Sequence, residues 1–477
     1  MSDNNPVTVV ESRPGALDTR VSARKARPSY VSTTNACKLC TPIGAALAFR
    51  GIEGCVPFLH GSQGCATYMR RYIISHFREP MDIASSSLGE KHAIYGGGPN
   101  LKKGILNVMG KYGAKIVGVA TTCLTETIGD DVPMILKEFR REFSDLALPH
   151  IVFASTPSYS GTHMEGWHAA VRATVEQLVT DKVSENGTVN IMPGFVSPAD
   201  IRYLKEIATD FGIRPTILPD ISETLDGQAL EDYETIPSGG TSLEAIREMS
   251  GASASIEFGR TLSCLETAGN VLKKRFDMPL YQIGMPIGLR ETDRFFQALE
   301  AITGRETPQL HQMERGRLVD AYIDGHKYVS GLKAVVYGEA DLVIGLTSFL
   351  VEIGIRPVLV ATGSKDKVFK QAIEEVCKGI ALGASLPAIR EGVDFFDIAE
   401  EAEGLKPDIL VGHAKGYKMA REWNIPLVRA GFPNHDRFGG QRILHLGYRG
   451  AQSLLDRIIN AIIEKKQADS PIGYWYI

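Results

Sequence analysis

Cys40, Cys65 and Cys123 stand in three unlike turn-forming contexts, CTPIGA, HGSQGC and TTCLTETIGDD. A thiol on such a turn can be brought next to others by the fold, and thiolate is the soft ligand that iron–sulfur clusters and zinc prefer. The gaps of 25 and 58 residues are far too long for a zinc finger, so the ligands must converge from separate elements. Disulfides are the rival use of these thiols. The chain opens MSDNNPVTVV, without an apolar signal segment, which points to a reducing, cytoplasmic setting where disulfides are rare. The seven cysteines are also an odd count. Any single one can be a buried, inert side chain, but three on glycine- or threonine-rich turns favour cluster ligation.

Elements that bring such turns together should leave a pattern, and they do. Short apolar runs recur, each feeding a glycine or polar turn and then a helical pattern. The runs 114–123, 150–158, 188–195, 215–220, 332–340, 355–363, 407–416 and 424–431 read as buried parallel strands. Between them lie amphipathic helices such as MEGWHAAVRATVEQLV and DLVIGLTSFLVEIG. The alternation predicts an α/β protein of three doubly wound, parallel-sheet, Rossmann-like domains, with ligands at the C-terminal ends of strands. SENG at 184–187 and the stretch Gly304–Pro308 suggest boundaries. They give α/β units at 30–183 (carrying the cysteines), 186–303 and 316–467, with a tail at 468–477. Residues 1–29, with a basic cluster RVSARKARP, read as an extended arm, either solvated or wrapped on a neighbour.

The 477 residues are enough for several ordinary domains, and a hydrophobic share of 44% with 48 glycines suits a globular α/β chain. A net charge of −4 argues against a nucleic-acid footprint, and no apolar run approaches membrane-spanning length. No G-x-G-x-x-G follows a strand and no G-x-x-x-x-G-K-[ST] occurs, so the chain is not expected to hydrolyse ATP itself. A second constellation is acidic. Arg78 and Glu79 precede a proline in SHFREP, and Asp320 and Asp324 lie at i and i+4 on one helix face. Those like charges repel unless they hold a cation or face basic groups; a solvated helix face is the alternative.

The motifs HGSQGCATYMRRYIISHFREP (60–80), IYGGGPNLKKGILN (94–107), TTCLTETIGDDVP (121–133), TPSYSGTHMEGW (156–167), MPIGLRETDRFF (285–296) and GFPNHDRFG (431–439) resemble, in order, the β-type subunit of nitrogenase component 1. NIMPGF, LDGQ, SGGTS and ERGRLVD carry the likeness through nearly the whole chain after residue 30. The resemblance implies a three-domain α/β subunit that supplies three cysteines to half of an interfacial 8Fe-7S P-cluster, the α-type partner supplying the rest. Cys40, Cys65 and Cys123 match those ligand motifs. Ser158 matches a serine whose oxygen can bind an oxidised cluster iron; capping a turn is its other reading. Tyr68, three residues after Cys65, is placed to donate a hydrogen bond near a sulfur or simply to pack.

The resemblance further implies an α2β2 heterotetramer. A hard cation, calcium or ferrous iron, would be held across the β–β contact by the Arg78 carbonyl, Glu79 and, from the other copy, Asp320 and Asp324. An ATP-dependent 4Fe-4S reductase homodimer would dock near Tyr95, and a catalytic iron–sulfur cofactor would sit in the α-type partner. Cys37 departs from the family pattern. With Cys40 it forms C-x-x-C, as an accessory ligand, a redox partner or, on balance, a bystander. Cys55, Cys264 and Cys377 are expected to be buried packing. CKLC and the ending SPIGYWYI depart from nitrogenase patterns and point towards nitrogenase-like reductases such as methylthio-alkane reductase. Dinitrogen reduction and a cofactor-assembly scaffold are the alternatives.

Overall fold

The eight apolar runs become eight of the thirteen parallel strands among the described residues of a computed structural model, which comprise 36–232, 234–378 and 385–473. The predicted arm at 1–29 and the last four residues of the tail lie outside them.

The first sheet holds β1 (Cys55–His60), β2 (Ala84–Ser85), β3 (Ile116–Thr121) and β4 (His150–Ala154), in the order β2-β1-β3-β4. The second holds β5 (Thr188–Met192), β6 (Arg214–Ile217), β7 (Ala254–Phe258) and β8 (Leu280–Ile283), ordered β6-β5-β7-β8. The third is ordered β11-β10-β9-β12-β13, from β9 (Lys333–Gly338), β10 (Arg356–Thr362), β11 (Ala388–Arg390), β12 (Ile409–Gly412) and β13 (Leu427–Arg429). Each is a doubly wound α/β sheet, as the alternation predicts. Each also has a point where the strand order turns back, the usual place for a ligand crevice.

Both faces of these sheets are covered, which is why the strands read as apolar runs without alternation. In β1 and β3, Leu59, Ile116 and Ala120 face a core shared by all three sheets. Val56, Phe58, Val117 and Val119 face a smaller cluster with Leu101, Ile105 and Phe139. The long helix Gly447–Asp469 packs on Gln309–Val329 and contributes Leu454, Leu455 and Ile458 to the shared core.

β1, β2, β7, β8 and β11 were not expected as strands. Pro57 interrupts β1, yet its missing N–H costs nothing against β2, which pairs with β1 only at Phe58 and Leu59. In β7, Ser255 and Glu257 break the apolar pattern although both are buried. Glu257 is satisfied there by the Thr267 hydroxyl at 2.6 Å, the Gly269 N–H at 2.7 Å and the Gln282 amide at 2.9 Å.

Candidate cluster-binding site

The register His60↔Thr121 sets the exits of β1 and β3 side by side at the turn-back point of the first sheet. From β1 the chain passes Gly61 and Ser62 into the helix Gln63–Phe77, with Cys65 in its first turn. The Ser62 hydroxyl accepts the Cys65 N–H at 3.4 Å and donates to the Cys65 Sγ at 3.6 Å. From β3, Thr122 caps the short helix Cys123–Ile128 through a reciprocal box with Thr125. One carbonyl, that of His60, accepts the Thr122 N–H at 3.1 Å, the Thr122 hydroxyl at 3.2 Å and the Thr125 hydroxyl at 2.9 Å. The Cys65 and Cys123 turns are thereby pinned to each other. A Cβ at Gly61 would fall 2.1 Å from Thr122 Oγ1, so only glycine admits this approach.

Cys40 arrives from a different direction, as the residue capping the helix Thr41–Arg50. That helix crosses His163–Leu178 at backbone contact. A Cβ at Gly44 would lie 1.6 Å from the His163 carbonyl oxygen, and one at Gly166 would lie 1.8 Å from that of Thr41. The segment before it is tied down by the His163 N–H on the Leu39 carbonyl at 3.1 Å and by Lys38 Nζ on the Gly161 carbonyl at 3.3 Å. Ser158, on the exit from β4, accepts the Thr41 N–H at 3.1 Å. That exit is itself fastened to β3, since the Thr156 hydroxyl donates to the Thr121 carbonyl at 2.6 Å.

The three thiols share one electrostatic neighbourhood. Burial pushes the Cys40 thiol up, the Ser158 hydroxyl and Lys38 pull it down, and negative charge on Cys123 or Cys65 pushes it up further. Three thiolates gathered this way repel one another until a metal neutralises them. Cys40 and Cys123 are exposed and Cys65 is half-buried, all three free of disulfides. Among the described residues no three His, Cys, Asp or Glu side chains close around a single ion position. Three soft thiolate donors of this kind suit iron and sulfide, and their exposed side leaves room for ligands from elsewhere.

The other cysteines behave differently. Cys37, with its thiol pushed up to about 12 by burial, is enclosed, as is Cys55 at about 12 and Cys377 at about 11. Such thiols are poor ligands. Cys264 corrects the expectation of packing: it ends the 3₁₀ turn Thr261–Cys264 with its side chain exposed.

Tyr68 also differs from expectation. It is 59% exposed, and its hydroxyl lies 3.4 Å from that of Tyr72, not on a sulfur. Burial, the Tyr68 hydroxyl and the Cys40 charge together push the Tyr72 phenol up to about 12. Tyr72 lies two helical turns after Cys65, so the same spacing argument carried one turn further would have found it.

The acidic constellation does not gather within one chain. Arg78 ends its helix in the left-handed region at φ 64°, exposing its carbonyl end to the turn that carries half-buried Glu79. Burial and Asp226 push the Glu79 carboxyl up, partly offset by the Gly227 N–H, Arg50 and Arg442. Asp320 and Asp324 lie on an exposed face of the helix Gln309–Val329. Tyr95 closes the short helix His92–Tyr95 and, with Ile94, stands out into solvent at 82% and 79% exposure.

A family profile described as nitrogenase component 1 type oxidoreductase matches residues 40–463, from Cys40 to the last long helix. The chain belongs to this family. It is 36% identical over 431 residues to a nitrogenase molybdenum-iron protein beta chain from Clostridium pasteurianum, covering 90% of this chain and 93% of that one. It is 32% identical to the nitrogenase iron-molybdenum cofactor biosynthesis protein NifN from Bradyrhizobium diazoefficiens, covering 93% and 92%. The solved structure of nitrogenase Cp1 at pH 6.5 superposes with a TM-score of 0.91 at 33% identity, over 96% of this chain and 99% of that one. At the coarse level the chain is thus a subunit of a nitrogenase-family oxidoreductase. No helix among the described residues is long and apolar enough to cross a membrane.

Proposed function

We propose that this chain is the β-type subunit of a nitrogenase-like reductase, and that Cys40, Cys65 and Cys123 hold half of an 8Fe-7S P-cluster shared with an α-type partner. The observation that carries the reading is the trio of free thiols that share one electrostatic neighbourhood, Cys65 and Cys123 pinned together at the turn-back point and Cys40 brought to them by the helix Thr41–Arg50. When bound, the cluster supplies one-electron steps between a docked reductase and a cofactor in the partner. The chain's own contribution is to hold the thiols at fixed spacing, and to keep the Ser158 hydroxyl beside Cys40 and the Lys38 ammonium near it. Ile94 and Tyr95 offer an apolar step on which an ATP-dependent 4Fe-4S reductase homodimer would dock.

The same reading places Asp320 and Asp324 of one copy against Arg78 and Glu79 of another, around a calcium or iron ion in an α2β2 assembly. Asp320→Asn with Asp324→Asn should then shift the complex towards αβ heterodimers at low concentration, as measured by mass photometry. An unchanged tetramer fraction argues against the ion.

For substrate, the CKLC segment and the chain's final residues set it apart from nitrogenase patterns. On that departure rests our assignment to reductive C–S cleavage of methylthio-alkanes. The molybdenum-iron beta chains among its relatives favour dinitrogen as the second reading. The NifN relative favours a third, a cofactor-assembly scaffold. One assay separates them, using the complex of this chain with its α-type partner, the reductase and ATP. Methanethiol from a methylthio-alkane supports the assignment, and efficient ammonia from dinitrogen replaces the substrate while keeping the relay. Turnover of neither, with transfer of a cofactor to an apoprotein, replaces the enzyme by a scaffold.

A further inference from the structure

On the side of the third sheet's last strand lies a cleft of about 380 Å³ lined by Arg429, Arg437, Arg442, Arg449, Arg457 and Asn434. It forms because three stretches meet: β13, the turn that follows it, and the first turns of the helix Gly447–Asp469. On that helix Arg449, Ser453 and Arg457 recur at every fourth residue, which puts them on one face.

Four of the five guanidinium groups have carboxylates. Asp436 grips Arg429 with two bonds, at 2.9 Å from Nε and 2.6 Å from Nη2, and reaches Arg437 at 3.7 Å. Asp226 meets Arg442 at 3.1 Å but is shared with Arg202. Arg449 bonds Glu314 at 2.8 Å and Glu206 at 2.7 Å, and lies over the Tyr203 ring at 4.4 Å. Arg457 is different. Among the described residues its only hydrogen bond is to a neutral group, the Arg429 carbonyl, at 2.6 Å. It is half-buried, and burial together with the Arg429 charge pushes its pKa down. A partly covered guanidinium without a counter-charge is a costly arrangement, and the remaining N–H groups of its planar fork suit a carboxylate or phosphate.

Arg437 adds a second, exposed fork, with its Nη1 donating to the Asp436 carbonyl at 2.7 Å and lying 3.7 Å from the Asp436 carboxylate. Arg442 stacked on exposed Phe438 at 5.1 Å forms a rim.

We infer that this cleft is a binding site for a compact phosphate-type oxyanion, held by the forks of Arg457 and Arg437. Free hydrogen phosphate and the phosphate group of a small ester share that chemistry. An acidic side chain of a partner subunit is the competing occupant.

The test is calorimetric titration of the assembled complex with inorganic phosphate in phosphate-free buffer, repeated with a mono-ester and at matched chloride. The expected result is one saturable site per copy of this chain, weakened about tenfold or more by Arg457→Gln and severalfold by Arg437→Gln. Tighter binding of the mono-ester than of inorganic phosphate would identify the ester as the source. Should Arg457→Gln fail to fold, the exposed Arg437 variant decides, and unchanged affinity there rejects the site. Absence of phosphate binding by the parent complex overturns the inference. Binding by the isolated chain that vanishes on assembly also overturns it, in favour of a partner's acidic group.

Discussion

In the first sheet the strands on either side of the turn-back point, β1 and β3, lead into Cys65 and Cys123. In the third the corresponding strands, β9 and β12, lead into Glu339 and His413. Both crevices are framed by helix starts and lie where α/β sheets bind ligands. The thiols are exposed or half-buried and press charge on one another. The acid and the imidazole are instead driven towards their neutral forms by burial, Glu339 up to about 8 and His413 well below its usual range. Shared topology thus offers three crevices, and side-chain type and exposure decide which is equipped for metal. Among the described residues the first gathers three thiols on an open face, whereas the exit from β7 in the second carries the single exposed thiol of Cys264.

The strongest way to break that contrast is to remove a thiol from the equipped crevice. Cys65→Ala should cost the assembled complex most of its cluster iron and its electron transfer, because the remaining two thiols cannot hold three irons' worth of ligation. Iron and sulfide quantification with EPR reads this directly. Full iron content and normal electron transfer in the variant would remove the distinction between the crevices.

The next effect is on the scaffold that aims Cys40. Gly166→Ala places a methyl 1.8 Å from the Thr41 carbonyl oxygen, and neither backbone can yield without separating the two helices. Overpacking of this kind costs ~3 kcal/mol, at the upper end for inserted methyl groups. Denaturant unfolding of the apo chain gives the energy, and iron content of the complex should fall with it. Iron loss exceeding the stability loss would show that the crossing positions the cysteine as well as supporting the core.

Much of this arrangement was legible from residue types. Long apolar runs gave most of the strands of the third sheet and half of those of the first and second, because both faces are covered. Pro57, Ser255 and Glu257 hid β1 and β7, since polar or proline residues inside a strand become acceptable only through partners that the fold supplies. The cysteines stood out because thiols on glycine- or threonine-rich turns are chemically conspicuous. Tyr72 did not, since the burial that sets its phenol comes from packing its residue type does not disclose; only its spacing from Cys65 was readable. The arginine cleft was equally hidden: Arg429 and Arg457 are 28 residues apart and meet through packing alone.

Acid should act on the closed interior before it reaches the open face. His76 and His163 are buried and held neutral, with pKa values of about 3 and about 4, burial being the main cause in both. His76 Nδ1 accepts the Asn434 N–H at 2.9 Å, a bond that requires the unprotonated ring. Their folded values lie below the unfolded value of about 6.5, so the unfolded chain binds more protons as pH drops. Their contribution is complete above pH ~6.5 and is lost on acidification towards pH ~4, at up to about 1.4 kcal/mol per histidine per pH unit. Denaturant midpoints measured between pH 7 and pH 5 should fall, and His76→Gln should flatten the slope. A flat parent profile would show that these histidines are not held neutral by the core.

The smallest effect belongs to the third crevice and has the opposite sign. Glu339 caps the helix Ala340–Glu352, accepting the Asp341 N–H at 3.3 Å and the Leu342 N–H at 3.2 Å. Burial, and then the Asp341 charge, raise its carboxyl to about 8, so at neutral pH it is mostly protonated and already resembles an amide. Glu339→Gln should therefore leave cluster iron unchanged and alter stability at pH 7 by under ~1 kcal/mol, the worth of an ordinary hydrogen bond. The folded value lies above the unfolded one near 4.3, so the parent loses stability as pH rises through this window while the glutamine variant does not. The variant should consequently gain on its parent between pH 5 and pH 8, the reverse of the histidine trend. A large loss of stability at pH 7, or a loss of iron, would mean that Glu339 is ionised and engaged, and the two crevices would then differ in their ligands rather than in whether they have any.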